Sequence, residues 1–404
     1  MLTYSEALAE VLENTCPLPP IKQSLHKIRS EQILAEPVYA QRDLPRADTA
    51  TMDGFAFMHS GLKTDTPLKV VGFAPAGHRF NHPVRSGETV RIMTGAPLPE
   101  GCDTVVPIEK TVQKNNWLEL SSVPNSGSYV RQRGEEFRQN ELVLAAGTNL
   151  SPGAIGLLSA AGITHPKVYP LPRVAILSTG DELISLDEAL QEGKIVNSNA
   201  YLLAARLREE GIEPVVLGIA KDHPDELDEK LREGLSADLL ITTGGVSVGD
   251  RDLVKSVLNN LGFNKVFWKV AISPGKPILF GTIDTVPIFG LPGNPTATAT
   301  TFELFVRPAL RRLTGYSNPL APRIKVRLAD SINGGRKRQQ FLWGQLKIVA
   351  GELQFLPAKG KKSGQLHDLV KAHALLPVPS DSPGLSAGDE VEIFLVRLPS
   401  SSNN

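Results

Sequence analysis

The run Asp238-Leu239-Leu240-Ile241-Thr242-Thr243-Gly244-Gly245-Val246-Ser247-Val248-Gly249-Asp250-Arg251-Asp252 carries residue types suited to holding an anion. Gly244, Gly245 and Gly249 leave room for a phosphate against exposed backbone N–H groups. Ser247 adds a hydroxyl, and Asp250 and Asp252 place carboxylates just ahead of a helical run that starts at Leu253. Two further strand-to-loop junctions share the design. Arg173 to Leu177 enters Ser178-Thr179-Gly180-Asp181-Glu182, and Val286 to Phe289 enters Gly290-Leu291-Pro292-Gly293-Asn294-Pro295. In an open parallel sheet such loops lie at the carboxyl ends of the strands, so the three are expected to converge on one crevice. The bland alternative is a tight connection that binds nothing, but two adjacent glycines, a serine and two carboxylates exceed what a turn needs.

Other candidates are less specific. Asp181 and Glu182 could hold a magnesium ion that bridges phosphates, or could be first-turn acids of a helix favoured by its dipole. Neither G-x-G-x-x-G nor G-x-x-x-x-G-K-[ST] occurs at these turns, which argues against dinucleotide and Walker-type nucleotide sites. Lys276, held between Pro274-Gly275 and Pro277, reads as a fixed point charge aimed at an oxyanion. On spacing alone Asp53 and the Thr94-Gly95 pair are ordinary β-turn residues. His78 and His82 sit in a loop framed by Gly77 and Pro83 and read as solvated rather than as a metal pair. Arg131 and Arg133 either clasp an anion or form local salt bridges with the acids that follow them.

The elements that must position these residues fall into four blocks. Residues 1–45 and 136–171 are expected to form one discontinuous helical and extended domain, interrupted by a small β-domain over residues 46–135. Strand and helix alternate over residues 172–318, with strands at Val174 to Leu177, Val215 to Ile219, Leu239 to Thr242 and Phe267 to Val270, which predicts a doubly wound α/β domain. Short strands return over residues 319–404, at Ile324 to Leu328, Phe341 to Ile348 and Val391 to Val396, and predict a β-barrel or sandwich.

With 404 residues the chain can build several cores, and its 43 basic and 43 acidic residues cancel. That balance argues against nucleic acid or an electrostatic membrane anchor and favours small-molecule partners. No signal peptide or membrane-length apolar run is apparent, and Cys16 and Cys102 support neither a disulfide framework nor a zinc site. A cytoplasmic enzyme fits.

Met52-Asp53-Gly54-Phe55-Ala56, Ile92-Met93-Thr94-Gly95-Ala96-Pro97, Ser178-Thr179-Gly180-Asp181-Glu182-Leu183, Thr243 to Asp250, Pro274-Gly275-Lys276-Pro277 and Gly290 to Pro295, taken in this order over nearly the whole chain, resemble the MoeA family, which includes the gephyrin E domain. The resemblance implies a molybdopterin molybdenumtransferase that inserts molybdate into adenylylated molybdopterin with magnesium, releasing AMP and the molybdenum cofactor. It also implies an elongated homodimer in which each site is shared between subunits, with Asp53 and Thr94 reaching across. An adenylyltransferase would hand over the substrate, and recipient molybdoenzymes would take the product.

Carried onto this sequence, Thr179, Gly180, Gly244, Gly245, Val246, Ser247, Asp250 and Pro292-Gly293-Asn294-Pro295 would bind the pterin and its phosphate, Asn294 fixing the ring. Asp181, Glu182, Asp250 and Asp252 would hold magnesium, while Asp53, Thr94, Glu182, Asp222 and Lys276 would act in catalysis. The chain departs from the family pattern at Ser273, Ala297, Trp343, Asp368, His373 and Glu136, several of them on the proposed oxyanion side. A pterin carrier or scaffold, or a relative using tungstate, are the competing readings. Arg336, Lys361 or Lys362 could supply the missing charge.

Overall fold

The computed structural model describes residues 1–60, 62, 66–245, 253–358 and 366–399. The chain divides into two compact units, Lys22–Val168 and Met1–Ile21 with Tyr169–Asn404. Helix α1 (Tyr4–Glu13) starts at a capping box in which the Thr3 hydroxyl accepts from the Glu6 N–H and the Glu6 carboxylate accepts from the Thr3 N–H. Tyr4, Ala7, Leu8 and Val11 form its buried stripe, and the Tyr4 ring packs edge-on against Phe305, Phe341 and Phe394. The sequence reading grouped this helix with residues 136–171. Its apolar stripe instead completes the core of the α/β unit, because the aromatic surface that fits it lies there.

The Lys22–Val168 unit contains a six-stranded sheet of β1 (Gly54–Phe57), β2 (Leu68–Ala74), β3 (Glu88–Ile92), β4 (Thr104–Pro107), β5 (Thr111–Lys114) and β6 (Trp117–Leu120), in the order β4-β1-β3-β2-β6-β5. Strand alternation divides its apolar residues between two faces. Phe55 and Phe57 join Val106 and Leu118 on one, while Ala56, Val90, Ile92 and Val105 pack on the other. The flanking segments pack together: Val38–Tyr39 pairs with Leu142–Leu144, and helix α2 (Pro152–Ala160), capped by Ser151, contributes Leu158 to a cluster with Ile28, Leu34 and Leu150.

In the second unit, β7 (Val174–Thr179) leads through the short parallel pair β8 (Leu183–Ile184) and β9 (Ile195–Val196) into α3 (Ser198–Glu209). Next come β10 (Val215–Ala220), α4 (Pro224–Gly234), β11 (Leu239–Thr243), α5 (Leu253–Asn260), β12 (Asn264–Trp268), β13 (Leu279–Ile283), β14 (Val286–Leu291) and α6 (Pro295–Thr301). A π-turn over Phe302–Val306 joins α6 to α7 (Arg307–Leu313). The sheet order is β10-β7-β11-β14-β13-β12. Its first four strands are parallel, whereas β13 runs antiparallel to both β14 and β12. Residues of the central strands alternate between helical layers: Val174, Ile176, Leu239 and Ile241 face α1, α3, α6 and α7, and Ala175, Leu177 and Leu240 face α4 and α5. The doubly wound core is therefore present, and β13, a strand the sequence reading did not include, is inserted antiparallel between β14 and the edge strand β12.

The C-terminal strands β15 (Arg323–Leu328), β16 (Gln339–Val349), β17 (Glu352–Pro357), β18 (Ala374–Val378) and β19 (Glu390–Leu395) close into a barrel in the order β16-β17-β15-β19-β18-β16. Helix α8 (Leu366–Val370) precedes β18. Val326, Leu346, Phe355, Leu376 and Ile393 fill the barrel, while Phe341, Trp343, Leu375 and Phe394 face the α/β core.

Candidate functional site

Three loops meet where β7, β11 and β14 end side by side, with Ser178 in register with Thr243 and Thr243 with Leu291. They bound an open pocket to which Thr179, Glu182, Thr243, Gly244, Gly293 and Pro295 contribute. Two glycines make the approach of β11 to β7 possible. A Cβ on Gly244, whose φ is +87°, would lie 2.2 Å from the Thr179 carbonyl oxygen, and one on Gly245 would lie 2.7 Å from both Thr179 Oγ1 and Val254 Cγ2. No other residue fits at Gly244 without separating the strand ends. Val246, Ser247, Asp250 and Asp252 lie outside the described residues, so their assigned roles stay with the sequence.

Carboxylates gather on one side of the pocket. Gly180 to Glu182 forms a turn leading into β8, so no helix begins there and the reading of Asp181 and Glu182 as first-turn acids does not hold. Gly180 (φ +143°) lets the Glu182 carboxylate fold back to within 2.6 Å of where a Cβ would stand. Asp181 Oδ1 accepts from the Asp222 N–H at 3.1 Å, and Lys194 Nζ donates to the Asp181 carbonyl at 2.6 Å. Partial burial together with the Asp181 and Glu182 charges pushes the Asp222 carboxyl above the ordinary carboxylate range. Among the described residues no three His, Cys, Asp or Glu side chains group as a metal cage.

The pocket floor is built by residues absent from the sequence reading. Asn197 caps α3, its Oδ1 accepting from the Ala200 N–H and from the buried Ser178 hydroxyl. Two residues further on, Asn199 Nδ2 donates to Thr243 Oγ1 at 3.0 Å and to the Gly293 carbonyl at 2.9 Å, stapling the ends of β11 and β14 together. The only sequence signal for them is the Asn197-Ser198-Asn199 run, which reads as a helix cap. Asn294 proves to be the N-cap of α6, its Oδ1 accepting from Ala297, and Pro292 serves the same turn by accepting from the Thr298 hydroxyl.

Lys276 is exposed and is not among the pocket-lining residues. Its loop is held by Gly275 packing on Thr301 and by Ile272 and Ser273 pairing with Gln339 and Gln340 of β16. Arg338 donates to the Ile272 carbonyl at 3.1 Å. Two departures from the family pattern are structural. Trp343 is buried and donates from Nε1 to Thr300 Oγ1 on α6 at 2.9 Å, while buried His373 accepts from the Leu346 N–H through Nδ1 at 3.1 Å.

In the other unit Asp53 and Thr94 are partners of each other. Asp53 Oδ1 accepts from the Thr94 hydroxyl at 2.6 Å and the Thr94 N–H at 2.7 Å, which holds its carboxyl below the usual range. Arg131 pairs with Glu135 and Glu136, the local salt-bridge reading, whereas Arg133 pairs with Asp43, which is remote in sequence.

Three family models match the chain: MoeA N-terminal region (domain I and II) over residues 2–162, probable molybdopterin binding domain over 175–312, and MoeA C-terminal region (domain IV) over 325–396. A molybdopterin molybdenumtransferase from Nostoc sp. (strain PCC 7120 / SAG 25.82 / UTEX 2576) is 40% identical over 91% of this chain and 86% of its own length. One from Staphylococcus aureus (strain COL) is 33% identical over 98% and 96%. The molybdopterin biosynthesis MoeA protein from Pyrococcus horikosii superposes with a TM-score of 0.84 at 29% identity, covering 99% of this chain and 100% of that one.

Proposed function

The chain belongs to the MoeA family, and from that premise we propose that it is a molybdopterin molybdenumtransferase acting on adenylylated molybdopterin. The observation that carries the reading is the crevice at the ends of β7, β11 and β14, where two glycines bring the strand ends into contact and carboxylates stand on one side. Ligands of open α/β sheets bind at this edge.

The pterin phosphate is assigned to the N–H groups of Gly244 and Gly245 and the hydroxyl of Ser247, beside the α6 N-terminus at Gly293 to Pro295. Thr179 and Gly180 close the near wall. Magnesium fits the carboxylate side. Asp222 already stands against the charges of Asp181 and Glu182, and this ion is commonly held by one or two carboxylates together with substrate phosphates rather than by a protein cage. When bound it would offset negative charge at the phosphoanhydride as AMP leaves. Glu182 orients the adenylate end, Asp222 keeps the local charge negative until the cation arrives, and Lys276 supplies a cation toward molybdate. Asp53 fixes the Thr94 turn, and in a homodimer that turn completes the site of the partner.

The same reading puts the enzyme in the cytoplasm, between an adenylyltransferase that makes the substrate and molybdoenzymes that receive the product. No described helix is long and apolar enough to cross a membrane. The test is genetic. Expressed in a bacterium lacking its own molybdenum insertase, the protein should restore activity of a molybdenum-dependent reductase at micromolar molybdate. Failure to do so by a stably expressed protein would favour a carrier.

A further inference from the structure

We propose that Asn199 Oδ1 is the hydrogen-bond acceptor that recognises a ring N–H or exocyclic amine of the nitrogen heterocycle seated in the crevice, an inference that rests on the proposed function. Asn199 is 8% exposed, lines the pocket, and carries an Oδ1 with no hydrogen-bond partner among the described residues. Its orientation is not arbitrary. Nδ2 faces the Gly293 carbonyl, which can only accept, so the amide cannot be flipped without setting oxygen against oxygen. A buried acceptor without a donor is costly, and a donor from the ligand removes that cost. Thr179 Oγ1, buried in the same pocket, is a second polar atom with no partner among the described residues.

The surroundings fit a flat ring. Leu183, Ile195 and Val196, from the β8–β9 pair, give an apolar wall, and Gly293 and Pro295 leave room opposite. The selectivity follows from chemistry: a heterocycle with an N–H at this point is held, and one that presents only a lone pair meets Oδ1 oxygen-to-nitrogen and is rejected.

Two rings of the substrate carry such donors, the adenine and the pterin, and equilibrium binding to the full-length protein separates them. AMP is compared with purine ribonucleoside 5′-monophosphate, which lacks the amine, and pterin with 2-dimethylamino-3-methylpteridin-4-one, which lacks both the ring N–H and the amine hydrogens. In the wild type the donor-bearing member of one pair should bind about tenfold more tightly, and the pair that shows this preference identifies the ring. In Asn199→Leu the ratio should fall to near one. A merely structural asparagine would lower affinity for both members and leave the ratio unchanged. Should Asn199→Leu fail to fold, Asn199→Ser gives the same comparison with less bulk. Equal binding within both pairs, no binding of any of the four, or a preference that survives in the variants overturns the assignment. Because binding is read without molybdate or turnover, a protein that inserts molybdenum yet shows no preference would refute the role of Asn199 and leave the proposed function standing.

Discussion

Replacing Gly244 by alanine tests the crevice where its geometry is tightest. The added Cβ would sit 2.2 Å from the Thr179 carbonyl oxygen, and the residue would keep a φ of +87° that L side chains rarely adopt. Backbone strain of this kind costs about 1–3 kcal/mol, and relieving the contact requires the ends of β7 and β11 to separate, at about another 1–3 kcal/mol. Gly193 supplies the control, because its φ is +77° but nothing lies within 4 Å of where its Cβ would stand, so Gly193→Ala bears only the conformational cost of roughly 1 kcal/mol. At roughly 2–4 °C per kcal/mol for domains of this size, Gly244→Ala should lower Tm by about 4–24 °C and Gly193→Ala by about 2–4 °C. Calorimetry with adenylylated molybdopterin should show at least tenfold weaker binding for Gly244→Ala alone. Equal Tm shifts for the two variants, with substrate binding intact in both, would refute the claim that the β7–β11 contact shapes the site.

Three further predictions test other links. The raised Asp222 carboxyl favours the proton in the folded state, so its contribution to stability is greatest below the ordinary carboxylate pKa and is lost as pH rises through the raised native value. Asp222→Asn should therefore melt higher than wild type at pH 7 and lose that advantage near pH 4, while turnover falls; a variant equally destabilised at both pH values would contradict this. Arg307 is held among Glu303, Glu210 and the Val396 carbonyl with its side chain 11% exposed, and Arg307→Met should cost about 3–5 kcal/mol in urea unfolding, whereas Arg208→Ala on the exposed face of α3 should leave the midpoint unchanged. Trp343→Phe loses the bond to Thr300 at a cost of about 1–3 kcal/mol, and Trp343→Arg should cost more by burying a charge. Equal Tm for those two variants would show that Trp343 is not a docking residue of the barrel.

What the sequence displayed and what it hid have physical reasons. Leu239–Thr243 appears as a strand within one residue of the expected bounds because a short apolar, β-branched run ending in glycines has few other conformations. The three loops reach one pocket for a topological reason, since parallel neighbours end on the same edge. Strand β13 was missed because Gly281 interrupts its apolar pattern. Its hairpin with β14 depends on Asp284 taking a left-handed φ of +51°, which spacing does not announce. The apolar stripe of α1 announces burial but not its partner, and only the ring packing of Tyr4 shows that the α/β core claims it. Asn199 was invisible for a similar reason: its meaning comes from Gly293, remote in sequence, which fixes the direction of its amide. Trp343 and His373 looked like losses from an oxyanion site and are buried groups with partners of their own.

The most direct test of the account is AMP release by the purified protein incubated with adenylylated molybdopterin and magnesium, with and without molybdate, followed together with activation of a cofactor-free molybdoenzyme. Molybdate-dependent release accompanied by activation is the predicted result; tight binding of the substrate with neither release nor activation would contradict it.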